Sequence, residues 1–180
     1  MDRLPTFIGL IIILVISGIA VYLYTHQANT PTSTNIVTNP NTTKNTPVAT
    51  TENLTIPWAM VFLPDNRILV TERPGNVRII DINGTVQPNP IANINVDTKT
   101  NGEGGLLGIA LHPDFNNNHY VYLYYTYSSL GNETLNRVVR MKFENDKLTD
   151  ENIIIDKIPG ALFHNGGRIK FGHDGYLYIT

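Results

Sequence analysis

Three stretches of the sequence follow one plan. FLPDNRILVTE, ALHPDFNNNHYVYLYYT and KFGHDGYLYIT each read as an apolar strand, a turn containing an aspartate, and a second strand. Their aspartates, Asp65, Asp114 and Asp174, stand 49 and 60 residues apart. Around them the texture is uniform. Trp58 to Leu63, Ile68 to Thr71, Val77 to Ile82 and Thr85-Val86 form a first set of four strands, the last two joined by the hairpin signal Asn83-Gly84. Leu106 to Leu111, Tyr120 to Tyr127, Asn136 to Phe143 and a short Ile153 to Ile155 form a second. Arg168 to Phe171 and Tyr176 to Thr180 open a third. Four strands in a period of about fifty residues mark a β-propeller blade. The expected fold is all-β, a β-propeller of which about two and a half blades are present. So few blades cannot close a ring, and their open edge would invite strand pairing, so this is expected to be the front of a longer protein.

What precedes the strands has a different character. Phe7 to Tyr24 carries no charge over eighteen residues, the length needed to cross a bilayer core. Gly18-Ile19-Ala20 has the form of a signal cleavage site, but the apolar run continues past it, which favours an uncleaved transmembrane anchor over a cleaved signal. Residues 1–25 are therefore expected to be an N-terminal anchor or signal segment. Residues 26–53, rich in Thr, Asn and Pro, hold too few large apolar groups to offset their ordering entropy and should form a flexible linker of roughly 25–30 Å. Residues 54–180 are the globular part. The expected location is membrane-anchored with an extracytoplasmic domain, or secreted if the first segment is cleaved. Sequons at Asn41, Asn53, Asn83 and Asn132 are no more than a chain so rich in Asn and Thr produces by chance.

Composition closes several routes. There are no cysteines, which removes disulfides, thiolate nucleophiles and Cys-ligated metals. A net charge of −2 with no basic block argues against nucleic acid as a partner. No histidine pair has the spacing of a helical metal site, and no Gly-x-Ser-x-Gly elbow occurs.

Two loops remain as places for chemistry. NGEGG, residues 101–105, offers Glu103 from a glycine-rich backbone just before a buried strand; it faces either a site or water. Phosphate cradling is the weaker reading, since no Lys-Ser follows and no helix begins there. ALFHNGGR, residues 161–168, is the equivalent loop of the next blade, and it presents His164 ahead of an amide and two glycines. A neutral imidazole suits proton abstraction near neutral pH; the alternative is a hydrogen-bonded loop histidine. Arg168 reads as a structural ion-pair or hydrogen-bond donor. His112 and His173 occupy equivalent turn positions and read as structural, His119 begins an aromatic strand, and His26 lies in the linker. The three aspartates should cap their turns through their own side chains. The tyrosines between 120 and 127 could stack on a sugar or quinone, but β-propensity accounts for them.

From Leu54 to Thr180 the chain resembles the glucose/sorbosone dehydrogenase family through IPWAMVFLPDNRILVTERPGNVRII, GEGGLLGIALHPDF and HNGGRIKFGHDGYLYIT. That resemblance implies a six-bladed propeller oxidising an aldose at its anomeric hydroxyl, with pyrroloquinoline quinone (PQQ) as hydride acceptor and calcium as its activator. It implies a sugar substrate, an electron acceptor, His164 as general base and Glu103 on the substrate side. The studied glucose enzymes carry glutamine where Glu103 stands, and a carboxylate, unlike an amide, cannot donate a hydrogen bond. The aspartate that orients the histidine, the cationic groups for the quinone and the calcium ligands are expected beyond Thr180, so residues 1–180 alone should be inactive. The alternatives are a non-enzymatic extracytoplasmic propeller acting as a binding module and, further off, a calcium-dependent lactonase of the same architecture.

Overall fold

The computed structural model describes residues 53–99 and 102–180. The expected membrane segment and nearly all of the linker fall outside the described residues. Among the described residues no helix is long and apolar enough to cross a membrane. The architecture is all-β and antiparallel. β1 (Pro57–Phe62), β2 (Ile68–Glu72), β3 (Asn76–Ile80) and β4 (Ala92–Asn93) form one four-stranded sheet in chain order. β5 (Leu106–Leu111), β6 (Tyr120–Ser128), β7 (Thr134–Glu144) and β8 (Lys147–Pro159) form a second. β9 (Ile169–Phe171) pairs with β10 (Leu177–Ile179).

The repeated aspartate turns are built as expected at two of their three sites. Asp65 Oδ1 accepts the Arg67 N–H at 3.0 Å and Asp174 Oδ1 accepts the Tyr176 N–H at 3.1 Å, the side-chain turn that fixes a tight reversal. The middle repeat departs from this. Six positions rather than three separate Asp114 from the next strand, and the extra chain winds into a single helical turn, α1 (Phe115–Asn118), closed by His119 in the left-handed region. Asp114 makes no side-chain cap there. It is instead the Nδ1 atom of His112 that accepts the Asp114 N–H, at 3.0 Å, which gives His112 the structural role read from its position.

Two strands differ from the sequence reading. The Asn83-Gly84 turn forms, with the Asp81 N–H donating to Thr85 O at 2.9 Å, but Thr85-Val86 contributes only an isolated bridge between Val86 and Ile80. Pro88 and Pro90 follow, and with no N–H to donate they end that pairing. The fourth strand is Ala92–Asn93, paired with Val77 and Asn76. In the second sheet β8 runs for thirteen residues rather than the three at 153–155. It is launched by Asn145-Asp146, both at positive φ (51° and 54°), the combination that a two-residue hairpin turn requires.

β5 joins two cores. Leu106 and Ile109 pack with Leu69, Ile79, Val121 and Leu123, whereas Leu107 and Ala110 pack with Tyr124, Val138 and Ile169. Strict alternation would set residues 106, 108 and 110 on one face; a register shift between Leu106 and Ile109 changes the parity. The first and second sheets are also linked by the buried Thr71, whose hydroxyl donates to Leu107 O at 2.7 Å and accepts the Ala59 N–H at 3.1 Å.

Candidate functional site

The loops singled out in the sequence meet. Glu103 donates its N–H to Leu162 O at 2.8 Å, and its Oε2 accepts the His164 N–H at 3.0 Å across 61 residues of sequence. Both side chains are exposed. They open onto a cleft of about 420 Å³ lined also by Trp58, Arg73, Leu107 and Asn165. Each loop has its own support. Arg73 Nη1 donates to Gly102 O at 2.7 Å, and Arg73 O accepts the Leu106 N–H at 2.9 Å, so the strand-2 end of the first sheet carries the 102–105 loop.

His164 sits at φ 62°. This left-handed conformation costs a residue with a side chain about 1–3 kcal/mol and persists only where the surroundings over-determine it. Its neighbour Gly166, at φ 68°, lies where a Cβ would come within 2.3 Å of Thr180 O, so no other residue fits there. Gly108, at the register shift of β5, supplies the floor. A Cβ on it would stand 2.1 Å from Gly167 O and 3.0 Å from Ile169 Cγ1. Gly108→Ala is expected to lift the 166–169 segment and destabilise the fold by about 1–3 kcal/mol, the usual cost of overpacking, read as a lowered urea midpoint.

Sequence reasoning did not find the polar network beneath this loop. Thr126, Asn136 and Asn165 are all buried polar residues. The Thr126 hydroxyl donates to Asn136 Oδ1 at 2.7 Å; Asn136 Nδ2 donates to Asn165 Oδ1 at 3.3 Å and to Pro159 O at 3.2 Å. Tyr124 Oη–H donates to Asn165 O at 2.7 Å. Burial pushes the Tyr124 phenol above its ordinary range, which keeps that proton in place. The signal available in the sequence was an asparagine, Asn136, at the start of a strand read as half-buried.

The other candidates are accounted for locally. The Arg168 guanidinium lies 5.4 Å from the centroid of the Trp58 ring, a cation–π contact in place of the expected ion pair or hydrogen bond. His112 packs edge-on against Phe171 at 5.5 Å, and His119 ends α1. Tyr125 and Tyr127 direct their hydroxyls to Glu151 and Asp156. Among the described residues no group of three or more His, Cys, Asp or Glu is placed to hold a metal ion.

A family model described as glucose/sorbosone dehydrogenase matches residues 54–180. Quinoprotein glucose dehydrogenase B of Acinetobacter calcoaceticus is 33% identical over 141 residues, covering 71% of this chain and 28% of that protein. The aldose sugar dehydrogenase YliI of Escherichia coli is 33% identical over 136 residues, covering 72% of this chain and 36% of the relative. Among solved structures, the PQQ-bound aldose sugar dehydrogenase of Streptomyces coelicolor is 34% identical with a TM-score of 0.65, over 73% of this chain and 39% of that one. The chain thus spans only 28% to 36% of the length of these two curated relatives.

Proposed function

The chain belongs to the glucose/sorbosone dehydrogenase family over residues 54–180, and on that premise we propose that the whole protein oxidises an aldose sugar at its anomeric hydroxyl. The observation that carries this reading is the 3.0 Å hydrogen bond from the His164 N–H to Glu103 Oε2. It fixes the backbone of His164 and leaves the imidazole exposed at the mouth of the cleft. A ring nitrogen of His164 then takes the proton of the anomeric hydroxyl as general base. Glu103, with Oε1 unspent, accepts a hydrogen bond from a second sugar hydroxyl and so orients the ring.

PQQ, named in the Streptomyces relative, supplies a two-electron acceptor for the hydride when it is bound. The described residues do not by themselves fit it. Arg73 is the one cation lining the His164 cleft, and its Nη1 is committed to Gly102 O. No described cluster suits calcium. This part of the protein therefore provides the base and the substrate side, on a propeller that we take to have six blades when complete. The uncharged run from Phe7 to Tyr24 supports an anchored, extracytoplasmic location, and a separate electron acceptor would be the second partner beside the sugar.

Calorimetric titration of the whole protein with PQQ and calcium tests the reading. Saturable binding, followed by aldose-dependent reduction of a redox dye, is the expected result. A flat titration would overturn it and leave a propeller that serves as a binding module.

A further inference from the structure

The loop that carries His164 is tied down by polar groups. Leu162 and Phe163 are 42% and 46% exposed, so neither is a core residue that would anchor residues 162–164 by itself. What closes the loop is Asn165, only 7% exposed. Its Oδ1 accepts the Ala161 N–H at 3.0 Å and its Nδ2 donates to Ala161 O at 2.9 Å. One side-chain amide thus pairs with both backbone groups of a residue four positions earlier, in the way a neighbouring strand would. A backbone N–H can only donate and a carbonyl only accept, so this pairing fixes which way the Asn165 amide faces. The remaining lone pair of Oδ1 takes the Asn136 Nδ2 at 3.3 Å. Asn136, 1% exposed, is in turn oriented by the Thr126 hydroxyl. Oδ1 thus accepts two hydrogen bonds and Nδ2 donates one, while Tyr124 holds the Asn165 backbone carbonyl.

We propose that Asn165 is the positioning residue for His164: its amide closes the 161–165 loop, Asn136 holds that amide from the second sheet, and together they impose the left-handed backbone that presents the imidazole to the cleft. The residue acts through the histidine and touches no substrate. Its chemical role rests on the reading of His164 as a base; its structural role does not. The two are separable by experiment.

The test uses Asn165→Ala, the isosteric Asn165→Asp and Asn136→Asp, followed by amide hydrogen exchange and by NMR. A residue at positive φ gives a strong cross-peak between its own N–H and Hα, because that rotation brings the two together. In the wild type His164 should show this cross-peak, with slow exchange at Ala161, whose N–H donates to Asn165 Oδ1. In Asn165→Asp the donor to Ala161 O is lost, and in Asn136→Asp two acceptors face each other. Each variant should lose the His164 cross-peak and exchange faster across 161–167, while cross-strand signals of β5 to β7 stay unchanged. Persistence of the cross-peak in Asn165→Asp would overturn the proposal. Should Asn165→Ala fail to fold, the isosteric variants decide the matter on the same readouts. In the whole protein Asn165→Asp should lower kcat roughly 100-fold with little change in KM, the pattern of a displaced reacting group. Loss of the cross-peak in a protein that oxidises no aldose would sink the proposed activity and leave the positioning role standing; loss with kcat unchanged would sink the role in catalysis.

Discussion

Replacing His164 with asparagine in the whole protein is expected to cut aldose turnover by roughly 10²–10⁴-fold, the contribution of a well-placed general base. Asparagine is the informative substitution because the site has two requirements, and it meets one of them. Position 164 needs a residue that tolerates φ near 62° and donates its backbone N–H to Glu103. Asparagine visits the left-handed region more readily than other residues that carry a side chain. The loop should therefore keep its course, the urea midpoint should hold, and the loss should isolate the imidazole. Steady-state kinetics with a dye acceptor reads it out, and KM should change far less than kcat. Activity within a few fold of wild type would mean that some other group removes the proton.

Much of this geometry was legible in the sequence, and the boundary of legibility has a physical cause. Local chemistry could be read directly. The Asp65 and Asp174 turns and the buried run Leu106–Leu111 depend on residues within a few positions of one another. Features that depend on pairing register could not. Thr126 and Asn136 stand opposite each other in the β6–β7 ladder, and only that pairing turns two ordinary strand residues into the support of a loop thirty residues on. Gly108 reads as a glycine in a strand; its reason is Gly167 O. The exposed β8 carries no alternation to betray it, because most of its residues face solvent. In the candidate site the chemistry-bearing residues, Glu103 and His164, were visible as types in suitable loops. Their shared hydrogen bond was not.

The largest expected loss of stability comes from a residue that the sequence did not single out. Glu72 ends β2 and is fully buried. Its Oε1 accepts the Thr55 N–H at 2.7 Å, its Oε2 accepts Asn76 Nδ2 at 3.0 Å, and Arg78 Nη1 lies 3.5 Å away. Arg78 is itself only 14% exposed at its side chain and donates Nη2 to Gln87 O at 2.6 Å; among the described residues its Nε has no partner. Glu72→Ala removes the carboxylate paired with this cation and leaves two further donors, the Thr55 N–H and Asn76 Nδ2, without their acceptor. Breaking one side of a buried ion pair costs about 3–5 kcal/mol, and equilibrium urea unfolding should show a loss of that order. Glu72→Gln should fall between, since its amide nitrogen must point at a donor. The double variant Glu72→Met/Arg78→Met should recover much of the loss, because a buried pair replaced by apolar groups of similar size leaves no unpaired charge; a cycle of these variants measures the coupling. A Glu72→Ala cost below about 1 kcal/mol would show that water already reaches the pair. The consequence reaches the site, because the residue after Glu72 is Arg73, which carries Gly102 O and the Leu106 N–H. Faster amide exchange at Glu103 in Glu72→Ala, ahead of any change in β6 and β7, is the expected sign that this buried pair seats the loop facing His164.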